Sequence, residues 1–306
     1  MFRAFFIALS ESRMIRSVAE RSRVGRRLSS RFVAGMTVED ALAATVATNA
    51  KGMSVSVDNL GENVTNLEEA RHSAQLYHEM IDELANRRLD ANVSLKLTHM
   101  GLDIDETVTK QIVGELVAHA ARVKNFVRID MEGSPVTQKT LDIVRDLHGR
   151  PGNAGHVGAV IQSYLRRSEQ DVRDLCAQGI RIRLCKGAYK EPADVAFQEK
   201  SEVDASFVAL MKIMLKSGVY HGIATHDPNM IDATIAFAKA ENIPPAAFEF
   251  QMLYGVRRDL QEQLVKDGWG MRVYIPFGTE WYPYLMRRLA ERPANAIFIL
   301  KNLLRR

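Results

Sequence analysis

After Gly35 the chain repeats one pattern: a short run rich in β-branched and apolar residues, then a longer segment with helical periodicity. Eight such runs can be counted: Met53–Val57, Asn92–Leu97, Phe126–Met131, Val157–Gln162, Arg181–Lys186, Gly222–Thr225, Phe248–Met252 and Met271–Ile275. Between them lie segments such as Asn66–Asn86, where Leu67, Ala70, Ala74, Tyr77, Ile81 and Leu84 recur at helical spacing with polar residues between. Strand and helix in strict alternation mean βαβ crossovers and a parallel sheet. Eight strands favour closure over an open sheet, so the expected fold is α/β, a (βα)8 TIM-type barrel. The length of 306 residues suits one such unit. The expected division is an N-terminal helical arm over 1–50 and a barrel over 51–306. The glycine-rich GRPGNAG stretch before the fourth run is expected to be a loop.

Composition narrows the class without naming a function. The chain is 46% hydrophobic and 25% charged, which suits a globular protein and argues against disorder. No apolar run reaches the roughly 18 residues of a membrane span, and no secretory signal opens the chain, so a cytoplasmic protein is expected. Cys176 and Cys185 have neither metal-ligand nor disulfide-framework spacing, and no metal site is expected. Arg3 to Arg31 holds eight arginines against Glu11 and Glu20. That arm reads as a solvated set of short helices, or as a presequence-like or surface-binding amphipathic segment that would give peripheral membrane contact. It does not read as a nucleic-acid platform.

In barrels of this kind the chemistry sits where the strands end. Here those ends carry Asp58, Lys96, Asp130, Gln162, Arg183 with Lys186, His226, Tyr254 and Tyr274, and the helix after the eighth strand adds Arg287 and Arg288. Buried polar groups must be paired, so a ring of them in a purely structural barrel would be wasteful. One shared pocket is expected. A strand-end lysine also admits a Schiff-base reading, with Lys96 or Lys186 as the nucleophile of a class I aldolase or lyase. That reading leaves Gln162, Arg183 and His226 without a joint task. A non-catalytic membrane adaptor working through the basic arm is a further alternative, and it would have no use for the polar ring. No GxGxxG follows any strand, so a Rossmann-type dinucleotide site is not expected.

The strings SVDNLGENV, SLKLT, RIDMEG, VIQSYLRRS, RLCKGAYKEP, ATHDP, FEFQMLYGVR and YIPFGTEWYPYLMRRLAERPAN, spread from about Val55 to Asn295, resemble in order the motifs of the proline dehydrogenase family. The resemblance implies FAD-dependent oxidation of L-proline to Δ1-pyrroline-5-carboxylate, with electrons passed to a quinone. It also implies a separate pyrroline-5-carboxylate dehydrogenase, since the chain has no room for the aldehyde dehydrogenase of bifunctional relatives.

Residue by residue, the resemblance implies that Lys96, Arg287 and Arg288 hold the substrate carboxylate and that Tyr274 and Leu253 line the proline ring. It places Met131, Gln162, Arg183, Lys186, Gly187, Ala188, Thr225 and His226 along the cofactor. Charge-assisted, bidentate bonds make paired arginines suited to a carboxylate. A cation near the flavin N1–N5 edge suits the negative charge that gathers there on reduction, the task expected of Arg183. Asp130 is expected to act through electrostatics and positioning rather than as an obligatory base, and Glu62 as a gate pairing with the arginine doublet. Where some relatives carry tryptophan after KGAY, this chain has Lys190.

Overall fold

The structure is a computed structural model, and it describes residues 29–61 and 64–291, with side chains described as far as Met286. Eight parallel strands close on themselves in sequence order. They are β1 Ser54–Asn59, β2 Ala91–Leu95, β3 Val127–Ile129, β4 Val157–Gln162, β5 Arg181–Cys185, β6 His221–Ala224, β7 Phe248–Leu253 and β8 Met271–Phe277. Closure is made by β1 against β8, with Val57 opposite Ile275 and Asp58 opposite Pro276. The expected (βα)8 barrel is therefore the fold.

Among the described residues nine α-helices accompany the strands: α1 Val38–Asn49, α2 Leu67–Asn86, α3 Glu106–Arg122, α4 Ser134–Gly149, α5 Ser168–Ala177, α6 Lys200–Lys216, α7 Pro228–Ala240, α8 Arg258–Lys266 and α9 Trp281–Glu291. Their starts follow from local chemistry. Asn66 accepts from the Glu69 N–H to cap α2, Asp105 caps α3 through Val108, and Thr37 with Asp40 forms a reciprocal capping box at α1. Helix α2 buries Ala70, Ala74, Tyr77, Ile81 and Leu84, the stripe legible in its spacing.

The apolar core lies between sheet and helices. Val55, Val57, Val93, Leu95, Ile129, Ile182, Leu184, Phe250 and Ile275 turn outward to meet buried residues such as Met80, Leu116, Val144 and Phe207. Helix α1, ahead of the first strand, packs on β8 and β1. Helix α9 joins a separate apolar cluster, in which Trp281, Tyr282, Tyr284 and Leu285 meet Phe32, Val33 and Leu60. Because Leu60 directly follows β1, this cluster brings the helix bearing Arg287 and Arg288 to the loop after that strand. The glycine-rich loop resolves into turns with left-handed Gly152 and Gly155, and β4 then runs from Val157 to Gln162. No described helix is long and apolar enough to cross a membrane.

Candidate active site

Successive strand side chains point to opposite faces, so once one face meets the helices the alternate residues must fill the barrel. Strands of a buried parallel sheet are usually apolar on both faces. Here the inward positions of β1, β2, β3, β5, β7 and β8 are largely polar down to the bottom, while β4 and β6 contribute Gly158, Val160, Gly222 and Ala224 there. Glu249 of β7 bonds Arg272 of β8 at 2.6 Å, Tyr220 below β6 at 2.9 Å and Gln251 two residues on at 2.6 Å. Arg272 also reaches the Val55 carbonyl at 2.7 Å and Asn92 at 3.1 Å. Arg128 donates to the carbonyls of Ala159 and Arg181.

Arg183 stands in the middle of this interior, 6% exposed. Its Nε donates to Gln251 Oε1 at 2.5 Å, Nη2 to Ser56 at 3.0 Å, and Nη1 both to Ser94 at 3.1 Å and to Asp130 at 2.7 Å. The guanidinium carbon lies 5.1 Å from the centre of the Tyr274 ring. Bonds from β5 to β1 and β2 cross the barrel, so the arginine is held from both walls.

Above it the strand ends converge. Asp130, just past β3, accepts from Arg183 and Ser94 through Oδ1 and from the Tyr274 hydroxyl at 2.8 Å through Oδ2. Lys96 Nζ lies 3.3 Å from Asp58 and 3.9 Å from Asp130. Tyr77, reaching in from α2, donates to the Ser94 carbonyl at 2.8 Å and accepts the Asn59 N–H. Burial pushes the Asp58 carboxyl above its ordinary range against the pull of Lys96. Burial, followed by the Asp130 and Asp58 carboxylates, drives the Tyr274 phenol well above its own, so Tyr274 stays a neutral donor.

The other expected residues form a second group along β4 to β7. Gln162, buried, donates to the Glu132 carbonyl at 2.9 Å, and Met131 is buried beside Asp130. Gly187 has φ +108°, and a Cβ there would stand 2.3 Å from the Tyr164 ring. Ala188 is exposed on the segment that follows. Thr225 accepts from the Asp227 N–H, while His226 Nε2 accepts the Leu253 N–H at 2.9 Å and so carries its proton elsewhere on the ring. Lys186 is turned away from Arg183, between Asp204 of α6 and Asp227 at the start of α7, the latter at 2.7 Å. The Lys186 hydrogen bond draws the Asp227 carboxyl below its ordinary range. Both strand-end lysines are therefore engaged in ion pairs.

Glu62 lies outside the described residues, as do the side chains of Arg287 and Arg288, whose backbone belongs to α9. An open cavity of about 500 Å³ lies elsewhere, among Arg31, Phe32 and Gly255 to Asp259, and Lys96, Asp130, Arg183 and Tyr274 do not line it. Reading only strand ends missed Ser56, Ser94, Arg128, Glu249, Gln251 and Arg272. Their signal was alternation: Ser54, Ser56, Asp58; Asn92, Ser94, Lys96; Glu249, Gln251; Arg272, Tyr274.

A closed (βα)8 barrel whose strand ends gather two carboxylates, a lysine, an arginine and a tyrosine into one bonded cluster is the framework of a barrel enzyme. A sequence profile described as proline dehydrogenase matches residues 41–301. Proline dehydrogenase 2 of Bacillus subtilis strain 168 is 42% identical over 301 residues, covering 98% of each chain. Proline dehydrogenase of Deinococcus radiodurans is 39% identical, covering 94% of this chain and 96% of that one. Proline utilization A from Bdellovibrio bacteriovorus, inactivated by N-propargylglycine, superposes with a TM-score of 0.84 at 25% identity over 95% of this chain. This chain spans 36% of that much longer structure. The chain belongs to the proline dehydrogenase family and is an enzyme of that type.

Proposed function

We propose that the enzyme oxidises L-proline to Δ1-pyrroline-5-carboxylate using FAD. The observation that carries this reading is the Arg183–Asp130–Tyr274–Lys96 cluster: a buried, oriented cation beside a carboxylate and an aromatic wall at the mouth of a barrel of this family. Proline would lose a hydride from C5 and the proton of its ring nitrogen, becoming the cyclic imine, and FAD bound at the mouth would take the hydride at N5.

The residues fit such a cofactor. Arg183 supplies fixed positive charge for the N1–N5 edge. Gly187 leaves only backbone where the chain passes under Tyr164. In this reading Met131, Gln162, Ala188, Thr225 and His226 line the rest of the cofactor. Lys186 reaches its phosphates while sharing its charge with Asp204 and Asp227. Lys96, Arg287 and Arg288 hold the substrate carboxylate, Tyr274 and Leu253 flank the ring, and Glu62 closes the entrance. Asp130 acts through the charge and orientation of Arg183 and Tyr274. A quinone receives the electrons, reached by peripheral contact of the basic arm with a membrane from the cytoplasmic side, and a separate pyrroline-5-carboxylate dehydrogenase takes the product.

The test is a visible spectrum of the purified protein recorded anaerobically before and after L-proline. A flavin band that bleaches with proline is expected. A protein that stays colourless when FAD is supplied would overturn the proposal and leave borohydride trapping of substrate on Lys96 or Lys186 as the next experiment.

A further inference from the structure

We infer that Glu249 and Gln251, deep in β7, are positioning residues that fix the Arg183 guanidinium in a single orientation; their role toward the flavin rests on the function proposed above. Neither residue belongs to the strand-end ring. The inference starts from which groups can donate. A carboxylate only accepts, and Glu249 is held ionised: burial pushes its carboxyl up, but Arg272, Tyr220 and Gln251 outweigh this and keep it below its ordinary range.

An amide facing a carboxylate at 2.6 Å must present its NH2, so the Gln251 amide has one permitted orientation. Its carbonyl oxygen is then forced toward Arg183 Nε, 2.5 Å away. Arginine has five N–H donors in a rigid plane. Nε is taken by Gln251, both hydrogens of Nη1 by Ser94 and Asp130, and one of Nη2 by Ser56. One Nη2 hydrogen has no partner among the described residues. Serines and Asp130 can rotate or exchange partners; Gln251, with its amide locked by Glu249 and Glu249 locked by Arg272, cannot. The chain Arg272–Glu249–Gln251–Arg183 therefore transmits the rigidity of the barrel floor to the remaining donor.

Space confirms that the geometry is built around this amide. Gly222 of β6 lies against it, and a Cβ there would come within 2.3 Å of Gln251 Nε2. The position tolerates no side chain unless the amide moves.

Two measurements test the inference. The first needs no flavin: in 15N-arginine-labelled protein, the Arg183 Nε–H, assigned with Arg183→Lys, is expected as a downfield, slowly exchanging resonance. It should be lost in Gln251→Leu and shifted in Gly222→Ala, which keeps every charge and serves if the leucine variant folds poorly. A wild-type Nε–H that exchanges freely, or one unchanged in both variants, overturns the clamp whatever the flavin does.

The second measures the midpoint potential of bound FAD and steady-state kinetics. Loosening the cation should weaken flavin reduction by about tenfold, ~30 mV lower for a two-electron couple. It should also lower kcat by roughly ten- to a hundredfold, leaving KM for proline little changed. Resonances that respond while potential and kcat do not would make the pair a structural brace and overturn the positioning role. A protein that takes up no flavin would fail the functional reading, while the resonance experiment still decides the clamp.

Discussion

Gly187 has two independent reasons to be glycine: a left-handed φ of +108° and a Tyr164 ring 2.3 Å from where a Cβ would stand. The backbone conformation alone is strained for any L side chain, and the ring is packed against Leu165 and Ala196. Gly187→Ala is expected to push the Gly187–Tyr189 segment off the rim. On the proposed function, FAD retention should drop at least tenfold, and the melting temperature should fall by a few degrees; a titration of apoprotein with FAD and a thermal melt check both. Asp130 makes a contrasting case, because the work proposed for it is electrostatic. Asp130→Asn keeps the shape but removes the charge facing Arg183 and Lys96, and its NH2 would oppose the Arg183 or the Tyr274 donor. A loss of roughly a hundredfold in kcat/KM is expected, with the fold intact by circular dichroism. A variant within threefold of wild type would show that neither charge nor orientation at this carboxylate matters to the reaction.

Within the strands, two glycines separate what a barrel wall can absorb from what it cannot. A Cβ on Gly158 of β4 would lie 2.3 Å from the Arg181 carbonyl, which is backbone of the neighbouring strand, and 2.8 Å from Arg128. A Cβ on Gly222 meets only the end of a side chain. Gly158→Ala must therefore spread β4 from β5, while Gly222→Ala need only displace an amide. The first should be destabilised by at least about 2 kcal/mol more than the second in urea unfolding; equal losses would mean the β4–β5 ladder yields easily.

The same elements show what a sequence can disclose. Strand identity was legible because outward-facing residues such as Val55, Val57, Ile182, Leu184 and Phe250 supply the apolar half of each strand. Ends were less so. β1 runs on to Asn59 because Asp58 and Asn59, which look like turn residues, are tied in by Lys96 and Tyr77. β8 runs through Pro276 because the missing N–H is no loss where its carbonyl still accepts from Ala34. β3 is shorter than expected, although the Asp130 N–H still reaches the Leu95 carbonyl. The site was legible at strand ends, where position implies chemistry, and illegible deeper down. Whether Ser94 or Gln251 meets a partner across the barrel depends on register and closure, which no single strand encodes.

At the scale of the molecule, acid is the condition that acts on many buried groups at once, and two histidines set where it begins. His221, the first residue of β6, is fully buried; its Nδ1 accepts the Ile182 N–H of β5 at 3.0 Å and its Nε2 meets Ser217. Burial first, then Arg128 and Arg181, lowers it to about 3. His99 meets Ser73 at 2.8 Å beneath Gly61, and burial with Lys96 lowers it to about 4. Both are neutral in the fold but take up a proton near pH 6.5 when unfolded. Their stabilisation is whole above pH 6.5 and declines as pH falls, ending near pH 4 for His99 and near pH 3 for His221.

Over pH 6 to 4.5 each should remove about 1.4 kcal/mol per pH unit once its unfolded form is fully protonated. Half-buried His78 and His148, lowered mainly by burial, add smaller amounts in the same sense. The carboxylates held low by partners, Glu249, Asp204 and Asp227, begin to lose their contribution at about pH 5 and lose most of it below this window, and Asp58, shifted the other way, partly offsets them. Urea unfolding between pH 7.5 and 4.5 should therefore show stability falling with a slope that steepens below pH 6.5. His99→Gln should reduce that slope by about one proton's worth even if the variant is less stable at pH 7.5. An unchanged slope in His99→Gln would mean that this ring opens to water and titrates before the fold gives way, and that the packing of Gly61 over it is looser than its contacts indicate.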